Sequence, residues 1–278
     1  MTAPANAGWL ARLQLGYACD NGRTVLARRT QLGPLAVQKP FYPEGPQVCH
    51  TLILHPPAGI VGNDILDIGV KLQAGSHVLV TMPGAGKWYR SQGAAATQRL
   101  GIDVGPDAIL EWLPPETILF NGAVAKLHTT VELAVGGNYL GWDILCLGRT
   151  ASGEKFDAGE IHQSTDISIA GAQIWGERCR LRGGSPLLES PVGLGGAPVS
   201  AVMIAAGKSI PAGLLAQCRA VKLDTRARTG ISAMPNIFVA RYVGDSSERA
   251  KGFFVTLWQV LRPFFGGRAA VPPRIWKT

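Results

Sequence analysis

Charged side chains make up only 17% of this sequence, and there are only five cysteines, with no CxxC pair among them. Cys19, Cys49, Cys146, Cys179 and Cys218 lie far apart and are odd in number, which argues against a disulfide framework and for a reducing compartment. No window approaches the ~20 apolar residues of a membrane-spanning helix. The opening MTAPANAGWL lacks the basic start and apolar core of a signal peptide, so a soluble, cytoplasmic protein is expected. Lysine and arginine exceed the acids by 27 to 19, yet they form no run interleaved with aromatics, so nucleic-acid binding is not expected. The net charge of +8 suits solubility and an acidic protein partner.

What is present is strand material. Hydrophobic residues make up 46% of the chain, and 35 glycines and 19 prolines are spread along it. Short apolar or alternating runs recur at Ala11–Tyr17, Thr24–Thr30, Cys49–Leu54, Asp64–Leu72, His77–Met82, Thr97–Val104, Ile109–Leu113, Lys126–Leu133, Tyr139–Leu147, Ile161–Ile169 and Ile174–Leu181. In Asp64–Leu72 the period of two is plain: Leu66, Ile68, Val70 and Leu72 face one way, Asp67, Gly69 and Lys71 the other. Asn21-Gly22, Gly62-Asn63, Asn121-Gly122 and similar pairs supply the turns. Many short strands at this spacing predict an all-β sandwich, barrel or solenoid.

The composition changes after Pro191, so the β body is expected over about residues 9–191, with a C-terminal part carrying helices over about 192–278 of one domain. Val199–Ala206 is an apolar run, and Pro211–Val221 predicts a short helix with Ser209 as its N-cap. Ser246–Leu261 predicts a longer one, capped by Asp245 with Glu248 three residues on and stopped by Pro263. Its stripe of Ala250, Phe253, Phe254, Leu257, Trp258 and Leu261 must be covered by the β body or by a partner. The basic, aromatic tail with Arg268, Arg274 and Trp276 either folds back on the core or forms an interface.

Local motifs for catalysis are missing. MPGAGKWYRS has Thr81 where a phosphate loop needs its first glycine and Trp88 where it needs a magnesium-binding hydroxyl, so it reads as a turn with an interface-type Lys-Trp-Tyr-Arg cluster. No GxSxG elbow is present. Glu111 and Glu116 evoke a glycosidase pair on a β solenoid, although acids at strand ends are mostly solvated. His50 and His55 differ by five, so a regular strand sends them to opposite faces and a closed zinc site is not expected.

The blocks GPLAVQKPFYPEG, CHTLILHPPAGIVGNDILDI, KWYRSQG, LEWLPPETILFNGA, LGWDILCLGR, FVARYVGD and LWQVLRP…GRAAVPPRIWKT resemble urease accessory proteins of the UreD (also UreH) type, from about Gly33 to Thr278. The resemblance implies a mainly β, irregular β-helix-like body with a small C-terminal helical part and no enzymatic activity. It implies a UreF-type partner, a UreG-type GTPase and apo-urease as associates, and a dimeric state within the accessory complex. It also implies transient Ni2+ conducted through the body rather than a tightly bound cofactor. Asp64, Asp143 and Glu177 match family carboxylates associated with that route, as hard oxygen ligands that pass nickel on without the grip of thiolates, or else they satisfy turn amides. For the UreF-type contact the candidates are Phe253, Leu257, Trp258, Arg268, Arg274 and Trp276. The rivals are a binding module that holds urease open without touching nickel, and a polysaccharide enzyme using Glu111 and Glu116.

Overall fold

The chain winds back and forth between two facing sheets. The computed structural model describes residues 8–223 and 227–277, so most of the N-terminal segment read for a signal peptide lies outside the described residues. Sheet one holds β1 (Leu10–Asp20), β2 (Arg23–Leu32), β5 (Ile65–Leu72), β8 (Ala96–Val104), β11 (Val124–Leu133), β13 (Glu160–Ile169) and β14 (Ala172–Arg182), in the order β14-β13-β11-β8-β5-β1-β2. Sheet two holds β3 (Ala36–Val37), β4 (Val48–Leu54), β6 (His77–Thr81), β9 (Ile109–Trp112), β12 (Asn138–Leu147), β15 (Val199–Ala206), β16 (Arg228–Met234) and β17 (Ile237–Gly244). Its order is β16-β17-β15-β12-β9-β6-β4-β3. Short corner strands β7 (Gly86–Trp88) and β10 (Thr117–Leu119) pair with each other, and β10 also pairs with β12.

From β4 to β13 the strands alternate between the sheets and pair in parallel within each, which makes a solenoid-like body of about four turns. Antiparallel pairs finish it: β1 with β2, β13 with β14, and β12, β15, β17 and β16 in succession. The mainly β, β-helix-like expectation therefore holds. At the corner before β13, Gly159 has φ +97, and a Cβ there would stand 2.2 Å from the Ala123 carbonyl oxygen, so only glycine lets the coil step this closely.

Burial explains the two kinds of strand sequence. Sheet one has one face on the inter-sheet core and one bare, so β5 alternates, with Leu66, Ile68, Val70 and Leu72 inside. Sheet two is covered on both faces, so β12 and β15 are buried along nearly their whole length. Its second face carries α3 (Ser247–Gly266), whose Phe253, Phe254, Leu257, Trp258 and Leu261 pack on Leu140, Trp142, Met203, Phe238 and Tyr242. Two short helices, α1 (Pro186–Glu189) and α2 (Ala212–Arg219), flank this arrangement.

The eleven strand expectations from Ala11–Tyr17 to Ile174–Leu181 each meet a strand with shifted ends. Several other expectations are corrected. The β body does not end near residue 191, because β15, β16 and β17 extend sheet two. α3 runs through Pro263 to Gly266: Pro263 and Gln259 lie on its exposed side, where water can satisfy the carbonyl that proline leaves unpaired. Ser246, not Asp245, caps α3 by accepting from the Arg249 amide at 3.2 Å, while Asp245 pairs with the Arg249 guanidinium. Ser209 does not cap α2; its hydroxyl meets Asn236 instead. Trp88 is buried in β7 rather than displayed in a surface cluster.

Candidate functional site

Asp143 lies on β12 with its side chain on the inter-sheet side, between helix-facing Trp142 and Ile144. On sheet one, Gln163 of β13 donates to Asp143 Oδ2 at 3.3 Å. Glu177 of β14 points into the same gap and accepts from Arg241 Nη1 of β17 at 2.6 Å. Burial pushes the Asp143 carboxyl up to about 6, and the nearby charge of Glu177 adds to this against the Gln163 hydrogen bond. The two sheets therefore bring Asp143 and Glu177 together, with a side-chain amide beside them.

Asp64 is not part of that group. It sits in the turn before β5, where its two oxygens accept from the amides of Trp9 at 2.8 Å and Val61 at 2.9 Å. Between β5 and β14 lie three strands, so roughly 19 Å of sheet separates the two places. Its geometry is that of a carboxylate satisfying turn amides. His55, half-buried nearby, has its pKa lowered by burial against the opposing pull of Asp64.

The partner candidates on α3 are covered by the chain itself. Phe253, Leu257 and Trp258 are buried against sheet two, so their side chains are not available on the surface. Trp276 folds back as well: its ring packs on Trp142 and Trp258, and its indole N–H donates to Thr81 Oγ1 at 3.1 Å. Arg268 is half-buried, with Nη1 donating to the Glu44 carbonyl at 3.3 Å, and Arg274 is exposed.

Glu111 is neither solvated nor open to a substrate; its side chain is 0% exposed. It accepts from the Trp258 indole, from Arg262 Nε and Nη2 at about 3.0 Å, and meets His77 Nε2 at 2.6 Å. The same Arg262, also 0% exposed, donates to both oxygens of Glu44 at 2.6 and 2.9 Å, and Glu44 meets His50 Nε2 at 2.7 Å. Burial pushes the Glu44 carboxyl up, but hydrogen bonds from His50 and Arg262 outweigh it and hold it at about 2. Glu111 is likewise held below its ordinary value despite burial, through His77 and Arg262. This network joins α3 to β4, β6 and β9, and residue spacing alone does not reveal it. Its one sequence signal is Arg262, a charge adjoining the apolar stripe one turn after Trp258, which requires buried acids from elsewhere in the chain.

Among the described residues no group of three or more His, Cys, Asp and Glu side chains is arranged to hold a metal ion. The five cysteines are free. No helix among the described residues is long and apolar enough to cross a membrane.

Residues 10–277 match the family profile described as UreD urease accessory protein. The chain is 48% identical over 273 residues to the urease accessory protein UreD of Dechloromonas aromatica (strain RCB), covering 97% of this chain and 95% of that one. It is 47% identical over 274 residues to that of Azoarcus sp. (strain BH72), with 99% and 96% covered. With that of Pseudomonas fluorescens (strain Pf0-1) it shares 44% identity over 277 residues, with 100% and 98% covered. The chain belongs to the UreD family of urease accessory proteins.

Proposed function

We propose that this protein is a non-enzymatic scaffold for urease maturation that passes nickel through the gap between its two sheets, with Asp143 and Glu177 as transient oxygen ligands. Family membership supports the role in maturation. The observation that carries the nickel step is the meeting of Asp143 and Glu177 from facing sheets beside Gln163. Hard oxygen ligands suit a borderline divalent ion in transit, and a pair of carboxylates without a third strong donor binds it weakly enough to release it. Asp64 serves this route indirectly, by fixing the turn at the start of β5. Docking on apo-urease, a UreF-type partner, a UreG-type GTPase as nickel donor and a dimeric complex belong to the same proposal. Arg274, exposed on the tail, is the one of the six partner candidates whose side chain lies open on the surface.

The test is urease activation with the accessory partners present, using Asp143→Asn and Glu177→Gln. Each is expected to lower the nickel content of urease, measured by elemental analysis, by about tenfold, while co-purification with the partners persists. Full activation by the double variant in an intact complex would favour a module that holds urease open without touching nickel.

A further inference from the structure

Glu177 is shared between two neighbours, and one of them is a cation. Asp143, Val202 and Arg241 stand in one row across β12, β15 and β17. The next residue in that row is Gly230 on the edge strand β16, and nothing lies within 4 Å of where its Cβ would be. The row therefore runs from Asp143 inside to an open edge, and Arg241 is its last side chain. Opposite, β14 is the edge strand of sheet one and carries Glu177. The Arg241–Glu177 pair bridges the two sheets where the gap between them reaches the surface. Exposure follows the same order, 49% for the Arg241 side chain and 23% for Glu177.

From this geometry we infer that Arg241 is a built-in counter-cation that competes with a divalent ion for Glu177, setting how weakly the carboxylates hold the ion and how readily they let it go. The inference rests on the nickel-passage reading above. A guanidinium is charged at every accessible pH, so the competition is permanent. A half-exposed ion pair is weak, and Arg241 can swing into water without leaving a buried charge behind. Arg262 could not act this way, since it is sealed between two buried carboxylates. When an ion reaches Glu177, Arg241 gives up its hydrogen bond. When the ion leaves, the guanidinium returns and neutralises the carboxylate, which opposes rebinding.

The test is equilibrium nickel binding and nickel dissociation kinetics on the full chain with its co-purifying partners. Arg241→Gln removes the charge at similar length and Arg241→Lys keeps it; Glu177→Gln and Asp143→Asn serve as references. Arg241→Gln is expected to bind nickel at least about fivefold tighter and release it correspondingly more slowly, with Arg241→Lys close to the parent. If Glu177→Gln weakens binding but Arg241→Gln leaves affinity and release unchanged, the counter-cation role is wrong while the carboxylate route survives. If neither carboxylate variant changes nickel binding, the route itself fails, and the role of Arg241 with it. Thermal unfolding of each variant identifies any that fails to fold, and Arg241→Met, which also removes the charge, then carries the comparison with Arg241→Lys.

Discussion

Asp143 is a carboxylate whose protonated form is favoured by the fold. Burial, and then Glu177, raise it from the usual 3.8 to about 6. A raised folded-state pKa contributes stability below the unfolded value and loses it as pH rises through the folded one. Asp143 therefore weakens the fold above about pH 6 relative to a neutral isostere. Asp143→Asn should raise the melting temperature at pH 7, with the gain shrinking between pH 6 and pH 4 and vanishing below. A gain independent of pH, seen by calorimetry across that range, would contradict this account. Sequence pattern placed Asp143 on a strand through its apolar neighbours Trp142 and Ile144. Only the family resemblance set Glu177 on the same route; Gln163, which donates to Asp143, and Arg241, which donates to Glu177, were not legible, because they come from other strands whose pairing a linear pattern does not encode. Arg241 did leave a trace, as a single charge at an inward position of an otherwise apolar run.

At the scale of the element, α3 shows how far periodicity reaches. The stripe from Ala250 to Leu261 was readable, since i, i+3, i+4 spacing marks a buried face wherever it occurs. That its cover is the chain's own sheet was not, because an interface and a core ask for the same side chains. The helix does not end at Pro263, because the ring sits on the solvent side and the local rule gives way there. What holds α3 in register is Arg262, the one residue of the buried network that pairs with both Glu44 and Glu111, beside His50 and His77. Arg262→Met leaves both acids buried without their counter-charge and should cost about 3–5 kcal/mol. In urea unfolding this should appear as a lower midpoint with an unchanged slope. For the same reason, cutting the chain after Leu261 tests folding before it tests partner binding.

For the whole molecule, acid is the condition that takes these interactions apart. Glu44 has a folded value of about 2 against an ordinary 4.5, and Glu111 is shifted the same way. Depressed carboxylates contribute stability above their unfolded value and lose it as pH falls through the folded one. The protein should lose stability steeply between about pH 4.5 and pH 2, and Glu44→Gln should flatten that slope. Circular dichroism and tryptophan fluorescence followed through an acid titration will check it, since Trp258 donates to Glu111 directly. A parent and a variant with the same acid midpoint would rule the network out as its cause.

The span of that network also bears on how the protein is made. Glu44 and Arg262 are 218 residues apart, and Glu111 and Arg262 are 151 apart. As the chain leaves the ribosome, the coils of the solenoid can stack from the first turn onward, each on the one before. Throughout that time the pit formed by Glu44, His50, His77 and Glu111 holds acid without its arginine. It closes only when α3 docks and brings Arg262 between the two acids. A body on which α3 has not yet docked therefore holds Glu44 and Glu111 without their shared guanidinium.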